Sequence, residues 1–247
     1  MESMKAIVLA AGKGTRLQCE QADLPKALRL LDGKPLIRYV LDNLDFLAPQ
    51  DITIVVGFLK DKVIEQLGGG YHYVEQTELN GTAKATLCAE EILGNFPGPV
   101  LVCYCDMPFL RRETYLNMFR RHKETGSCNT VLAGRIHPIP PYGRLIRDGE
   151  GNLLDIVEDS ACTPEQKLID EVNIGIQVLD GKGMWGWLRQ VRNDNPKREY
   201  YLTSLVGVLA RQGLRQEVVL LEDEREMLGV NSMEDLLAAQ RQLRALR

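Results

Sequence analysis

Two short apolar runs constrain this chain most. Residues 5–11 (KAIVLAA) and 100–104 (VLVCY) have no polar alternation, so each must be covered on both faces. That is the signature of central strands in a parallel sheet with helices on either side. A third run, residues 51–56 (DITIVV), repeats the pattern, and residues 71–74 supply a shorter one. Helical spacing lies between them. Ile37, Val40, Leu41 and Leu44 follow Pro35, a residue suited to a first helical turn. Residues 60–67 read as a short helix ended by the glycines at 68–70, and Ala85, Cys88, Ala89 and Ile92 mark another helix starting near Gly81. Tyr115, Met118 and Phe119 mark a further one. Strands alternating with helices imply βαβ units, so the first 125 residues are expected to form a doubly wound, mostly parallel α/β half.

The second half has a different rhythm. Residues 131–135, 143–147, 153–158 and 171–179 read as strands joined by turns, an antiparallel or mixed extension of the sheet. A helix is expected over 201–212. A last helix begins at Ser232, with Asp235 placed for a capping box. No repeat or linker separates the halves.

Composition narrows the function classes. With 247 residues, 45% apolar and a net charge of -4, the chain suits a globular protein with a sizeable core. No basic block stands out, which argues against nucleic acid as a partner. No run approaches the length of a membrane span, and the N-terminus reads as a strand, not a secretory signal. The six cysteines lack a Cys-x-x-Cys pair and read as free thiols in a reducing cytoplasm; the three histidines are scattered, which disfavours zinc.

The chemistry concentrates where the first strand ends. Leu9, Ala10, Ala11, Gly12, Lys13, Gly14, Thr15 and Arg16 run from strand into a glycine-rich loop with a cation. Glycines let backbone N–H groups approach phosphate oxygens, and a guanidinium offers them a planar fork. Lys26, after Pro25, is a second cation. The spacing is neither a P-loop nor a dinucleotide fingerprint. Asp106, directly after the strand at 100–104, is an oxygen donor at the carboxyl end of the sheet, where ligands of open α/β folds bind.

These strings, in order, resemble the sugar-1-phosphate nucleotidyltransferases, the N-acetylglucosamine-1-phosphate uridylyltransferases in particular. The resemblance rests on Leu-Ala-Ala-Gly-x-Gly-Thr-Arg with Pro25-Lys26, on Glu75-Gln76 before Leu79-Asn80-Gly81-Thr82-Ala83, and on Tyr104-Cys105-Asp106-Met107-Pro108. Tyr142-Gly143-Arg144, Ile156-Val157-Glu158, Glu171-Val172-Asn173, the 199–203 string EYYLT and Gly229-Val230-Asn231 complete it. The resemblance implies a Rossmann-like nucleotidyltransferase fold in a single domain, with residues 1–125 as the nucleotide half and 126–247 as the sugar half. It implies Leu9, Ala10, Ala11, Gly12, Gly14, Thr15, Gln76, Gly81 and Thr82 around the nucleotide. Arg16 and Lys26 would be catalytic cations, and Tyr104, Gly143, Glu158 and Asn173 would surround the sugar. Asp106 and Asn231 would hold Mg2+. The implied reaction joins UTP to a sugar 1-phosphate, N-acetylglucosamine 1-phosphate first of all. Alternatives are another phosphate acceptor, CTP, or a non-catalytic nucleotide-binding module.

The chain departs from the family pattern at four places. The loop between Arg16 and Pro25 is longer, Cys105 replaces a Gly, Ser160 stands in place of a Lys, and Ile174 in place of a Thr. Tyr201 and Thr203 are candidates for the same sugar pocket, but a Tyr-Tyr-Leu string is more often core packing, so both stay outside the main set. No hexapeptide repeat is present, so acetyl transfer is not expected from this sequence.

Overall fold

The structure is a computed structural model and describes residues 3–15, 17 and 24–246. In chain order it begins with β1 (Lys5–Leu9), then a hairpin of β2 (Leu30–Leu31) and β3 (Lys34–Pro35). The hairpin corner, Asp32-Gly33, has φ of 51° and 78°, as a two-residue turn matched to strand twist requires. Next come α1 (Leu36–Asn43), β4 (Ile52–Val56), α2 (Lys60–Leu67), β5 (His72–Glu75), α3 (Thr82–Cys88), α4 (Glu90–Leu93), β6 (Pro99–Tyr104) and α5 (Arg112–Thr125). The second half supplies β7 (Asn129–Arg135), β8 (Arg144–Arg147), β9 (Leu153–Val157), β10 (Glu171–Asp180), α6 (Met184–Leu188), α7 (Leu205–Arg211), β11 (Gln216–Leu220) and α8 (Met233–Ala245).

Among the described residues the main sheet has nine strands, in the order β11-β7-β10-β6-β1-β4-β5, with β8 joining β10 and β9. β6, β1, β4 and β5 are parallel, whereas β10 runs antiparallel to both β6 and β7. This is the mostly parallel, mixed α/β sheet expected from the alternation of strands and helices. β1 explains the two-sided apolar run. Ala6 and Val8 pack with Ile37 and Val40 of α1 and with Tyr115 and Met118 of α5. Ile7 and Leu9 pack on the other face with Ala85 of α3, Met184 of α6 and Leu205 of α7. Each fully buried aliphatic side chain contributes roughly 1.5–3 kcal/mol.

The β2–β3 hairpin, β11 and α6 are not among the elements expected from the sequence. β11 is an edge strand whose apolar run, Val218-Val219-Leu220, is short and buries only Val219. α6 is a five-residue turn of helix with too few residues for a period. The helix expected over 201–212 begins later, at Leu205, after a 3-10 turn at Leu202–Ser204.

The chain runs from β1 outward through β4 to β5, then crosses back to β6 on the other side of β1. That reversal leaves a crevice beyond the carboxyl ends of β1 and β6, where open α/β sheets bind ligands.

Candidate functional site

Leaving β1, the chain is gripped by its neighbours. Ala10 N–H donates to Val55 O at 2.8 Å, and Phe58 N–H to Ala11 O at 3.1 Å. A Cβ on Gly57 would lie 2.8 Å from Ala11 Cβ, so the exit of β4 must stay glycine for the two chains to pass. The loop then folds over Lys26. Gly14 has φ +65°, and a Cβ there would stand 3.0 Å from Lys26 Cβ. Lys26 N–H in turn faces Gly12 O at 3.4 Å. A Cβ at Gly12 would meet no described residue within 4 Å, so among the described residues nothing stands between that backbone and an approaching anion. Arg16 lies outside the described residues.

Lys26 carries the loop to the metal-type donors. Its ammonium pairs with the Asp106 carboxylate and donates to Asn231 Oδ1 at 2.8 Å. These residues are 80 and 205 positions from Lys26 in sequence. Asp106 sits just beyond β6, and its carbonyl accepts from Val230 N–H at 2.9 Å. Asn231 is held from behind: its N–H and that of Ser232 donate to Asp235 Oδ2 at 2.9 and 2.8 Å, while Asp235 N–H donates to Ser232 Oγ at 3.2 Å. The capping box of α8 therefore aims Asn231 at Asp106. Two oxygens converge on one cationic position. No group of three or more His, Cys, Asp or Glu suited to a metal occurs among the described residues. A carboxylate plus an amide oxygen, completed by phosphate and water, fits Mg2+, which seldom takes an all-protein cage. Cys105, beside Asp106, is buried; burial pushes its thiol up to about 12, so it is neutral and inert next to the carboxylate.

The far side of the crevice is built on Gln76 and Gly81. Gln76 N–H continues the edge of the sheet by donating to Val56 O at 2.8 Å. Its side chain is 7% exposed, and Nε2 donates to Gly81 O at 3.1 Å. Gly81 has φ +125°, and a Cβ there would lie 2.4 Å from the backbone of Tyr200. The residue-199–203 string thus wraps the entry of α3, with Ala83 N–H donating to Tyr200 O and Leu202 N–H to Thr82 Oγ1, both at 2.8 Å.

Tyr104, the last residue of β6, separates this crevice from a second set of residues. Burial raises its phenol pKa, the nearby Thr82 hydrogen bond opposes the shift, and Asp106 and Glu158 add to it. The phenol is therefore a neutral donor at physiological pH. A Cβ on Gly175, where φ is +92°, would touch the Tyr104 ring at 3.0 Å. The pairing of β10 with β7 shifts register between Asn173 and Gln177 at this point, and Asn173 Oδ1 accepts from Gly175 N–H at 3.0 Å. Gly143 packs beneath, its carbonyl accepting from Asn173 N–H at 2.8 Å. Glu158, at the end of β9, accepts from Thr203 Oγ1 at 2.9 Å. Thr203, like Tyr201, is open to two readings in the sequence, pocket or core. The Tyr-Tyr-Leu context suggested core, and Leu202 is indeed buried, but the turn before α7 points the hydroxyl at Glu158. From Glu158 and Thr203 an open groove of about 1440 Å³ continues past Ser160, Tyr201, Arg192 and Lys197.

The expected residues thus fall in two neighbouring clusters on either side of Tyr104. One holds Leu9, Ala10, Ala11, Gly12, Gly14, Thr15, Lys26, Gln76, Gly81, Thr82, Asp106 and Asn231; the other holds Gly143, Glu158 and Asn173. The model of the MobA-like NTP transferase domain matches residues 6–159. The chain belongs to this family. It is also similar to proteins named bifunctional protein GlmU. The Lactobacillus gasseri protein is 38% identical over 91% of this chain and 48% of its own length. The Pelotomaculum thermopropionicum protein is 34% identical over 98% and 52%, and that of Exiguobacterium sibiricum 36% over 97% and 53%. The chain spans about half the length of these relatives. The family match ends one residue past Glu158, so Asn173, Thr203 and Asn231 reach the NTP transferase crevice from chain beyond it. No helix among the described residues is long and apolar enough to cross a membrane.

Proposed function

We propose that this chain transfers a uridylyl group from UTP to a sugar 1-phosphate, N-acetylglucosamine 1-phosphate first of all, with release of pyrophosphate and with Mg2+ as cofactor. The observation that carries the reading is the meeting of Lys26, Asp106 and Asn231 under the glycine-rich loop. Residues 1–125 form the nucleotide half of one domain and residues 126–247 the acceptor half. The five described cysteines are free thiols, which suits a cytoplasmic enzyme.

Bound Mg2+ supplies charge neutralisation on the phosphates, and Asp106 with Asn231 would hold it. Leu9, Ala10, Ala11, Gly12, Gly14 and Thr15 present backbone to the triphosphate. Lys26 and Arg16 offset the charge that accumulates on the departing pyrophosphate. Gln76 reads the base. Because its Nε2 is turned to Gly81 O, Oε1 faces an N–H donor, as uracil has at N3 and cytosine lacks. Thr82 and Gly81 hold the start of α3 against the ribose. Tyr104, Gly143, Glu158 and Asn173 bind the sugar hydroxyls and amide, and Thr203 fixes the carboxylate of Glu158. An acceptor phosphate monoester carries close to two negative charges at neutral pH, so its oxygen attacks the α-phosphorus in line without a general base.

Pyrophosphate release from UTP and N-acetylglucosamine 1-phosphate with Mg2+ tests this directly, beside CTP and other acceptors. Turnover of that pair supports the assignment. Turnover only with another acceptor would keep the chemistry and discard the sugar. That second reading draws on the groove beyond Ser160, which at about 1440 Å³ exceeds what a single hexosamine fills. Triphosphate binding with no turnover on any acceptor would point to a regulatory module.

A further inference from the structure

The ammonium of Lys26 stands on the same two oxygens, Asp106 Oδ2 and Asn231 Oδ1, that the proposed function gives to the divalent cation. The inference that follows rests on that reading. A second cation on those oxygens would stand against the ammonium, and two like charges in a poorly hydrated pocket repel strongly. The pocket is poorly hydrated: the Lys26 and Asp106 side chains are 15% and 12% exposed. The two occupants exclude each other.

The stem of Lys26 is fixed and its head is not. Gly14 packs on its Cβ, and its N–H faces Gly12 O. The Cδ and Cε methylenes and the ammonium beyond can turn without disturbing either contact. The same glycines form the loop proposed to carry the triphosphate, so the head lies within one side-chain rotation of both the carboxylate and the phosphates. Lys13, the other described cation of the loop, is drawn aside over the Phe58 ring, 5.7 Å from its centroid.

We infer that Lys26 is an exchangeable counter-ion: it competes with the divalent metal for Asp106 and Asn231, and a bound triphosphate, by offering its ammonium new partners, releases those oxygens to the metal. Lys26 is then a positioning residue for the metal site as well as a phosphate contact. Metal and nucleotide bind with positive coupling, each raising the affinity of the other by the same factor. Metal alone binds weakly because it must first displace Lys26.

The test is Mn2+ binding without nucleotide, followed by the paramagnetic signal of free Mn2+. Lys26→Met keeps the stem and removes the charge, and is expected to bind Mn2+ about tenfold or more tighter than the wild type. Lys26→Arg keeps a cation and should bind as weakly as the wild type. Adding Asp106→Asn to Lys26→Met should abolish the gain. A merely structural lysine would give the opposite sign, since its loss would loosen the site and weaken Mn2+. Equal or weaker Mn2+ binding in Lys26→Met overturns the inference. Should that variant not fold, Lys26→Gln is read against the same criterion. Wild-type turnover of UTP with unchanged Mn2+ affinity in the neutral variants sinks this inference alone. Absence of both turnover and any Asp106-dependent Mn2+ binding sinks the proposed function with it.

Discussion

The two sides of the cleft are built differently. On the nucleotide side, backbone meets backbone. Gly57 lets β4 pass Ala11, Gly14 lies on Lys26, and Gly81 closes on Tyr200, with virtual Cβ contacts of 2.8, 3.0 and 2.4 Å. An ionic contact there, Lys26 with Asp106, joined by Asn231, is largely shielded from water. On the acceptor side, single side-chain hydrogen bonds carry the geometry: Thr203 to Glu158, and Asn173 to the bulge at Gly175. Asn173 lies on the antiparallel strand β10, and Glu158, after β9, and Thr203, on the turn before α7, open onto a wide groove. Close backbone approaches admit no side chain at these glycines, whereas a single side-chain hydrogen bond can be exchanged without moving the chain. The chemistry-bearing side should therefore be rigid and intolerant, and the recognition side adjustable.

The sharpest way to break this comparison is Asp106→Asn. It keeps the shape and removes the charge, so pyrophosphate release should fall about 10³-fold or more while the circular dichroism spectrum stays unchanged. A loss under tenfold would mean that the shielded ionic cluster is not the centre of the chemistry. Gly81→Ala comes next. Both the φ of +125° and the 2.4 Å approach to Tyr200 forbid the methyl, so urea unfolding should show a loss of about 2–4 kcal/mol. A neutral result would mean that the nucleotide wall yields as readily as the acceptor wall.

Thr203→Val probes the other side. It leaves Glu158 Oε1 without its donor, and the KM for the sugar phosphate should rise about tenfold with the KM for UTP within about twofold. Equal changes in both constants would erase the division between the two clusters. The smallest effect is expected at Ser232→Ala, which removes the cap of α8 behind Asn231 and should cost about 1 kcal/mol of stability. Its effect on turnover should fall on the metal dependence and not on the acceptor.

Much of this was legible beforehand, for identifiable reasons. β1, β4 and β6 were visible because strands buried on both faces are apolar throughout. The capping box at Ser232 and Asp235 was visible because it is local. The sequence leaves Thr203 between core and pocket because its neighbours are apolar and the Glu158 that accepts its hydrogen bond is 45 positions away. β11 does not stand out because three apolar residues, only one of them buried, do not distinguish an edge strand from a loop.

The sequence by itself determined the α/β alternation, the glycine-rich exit of the first strand and the carboxylate at the end of a buried one, because each depends on residues adjacent in the chain. It could not bring Lys26, Asp106 and Asn231 to one point, place Thr203 on Glu158, or turn Gln76 toward Gly81. Those arrangements depend on the order of strands in the sheet and on the crossing from β5 back to β6. That order is set by how both faces of the whole sheet are covered, a condition no single stretch of sequence contains.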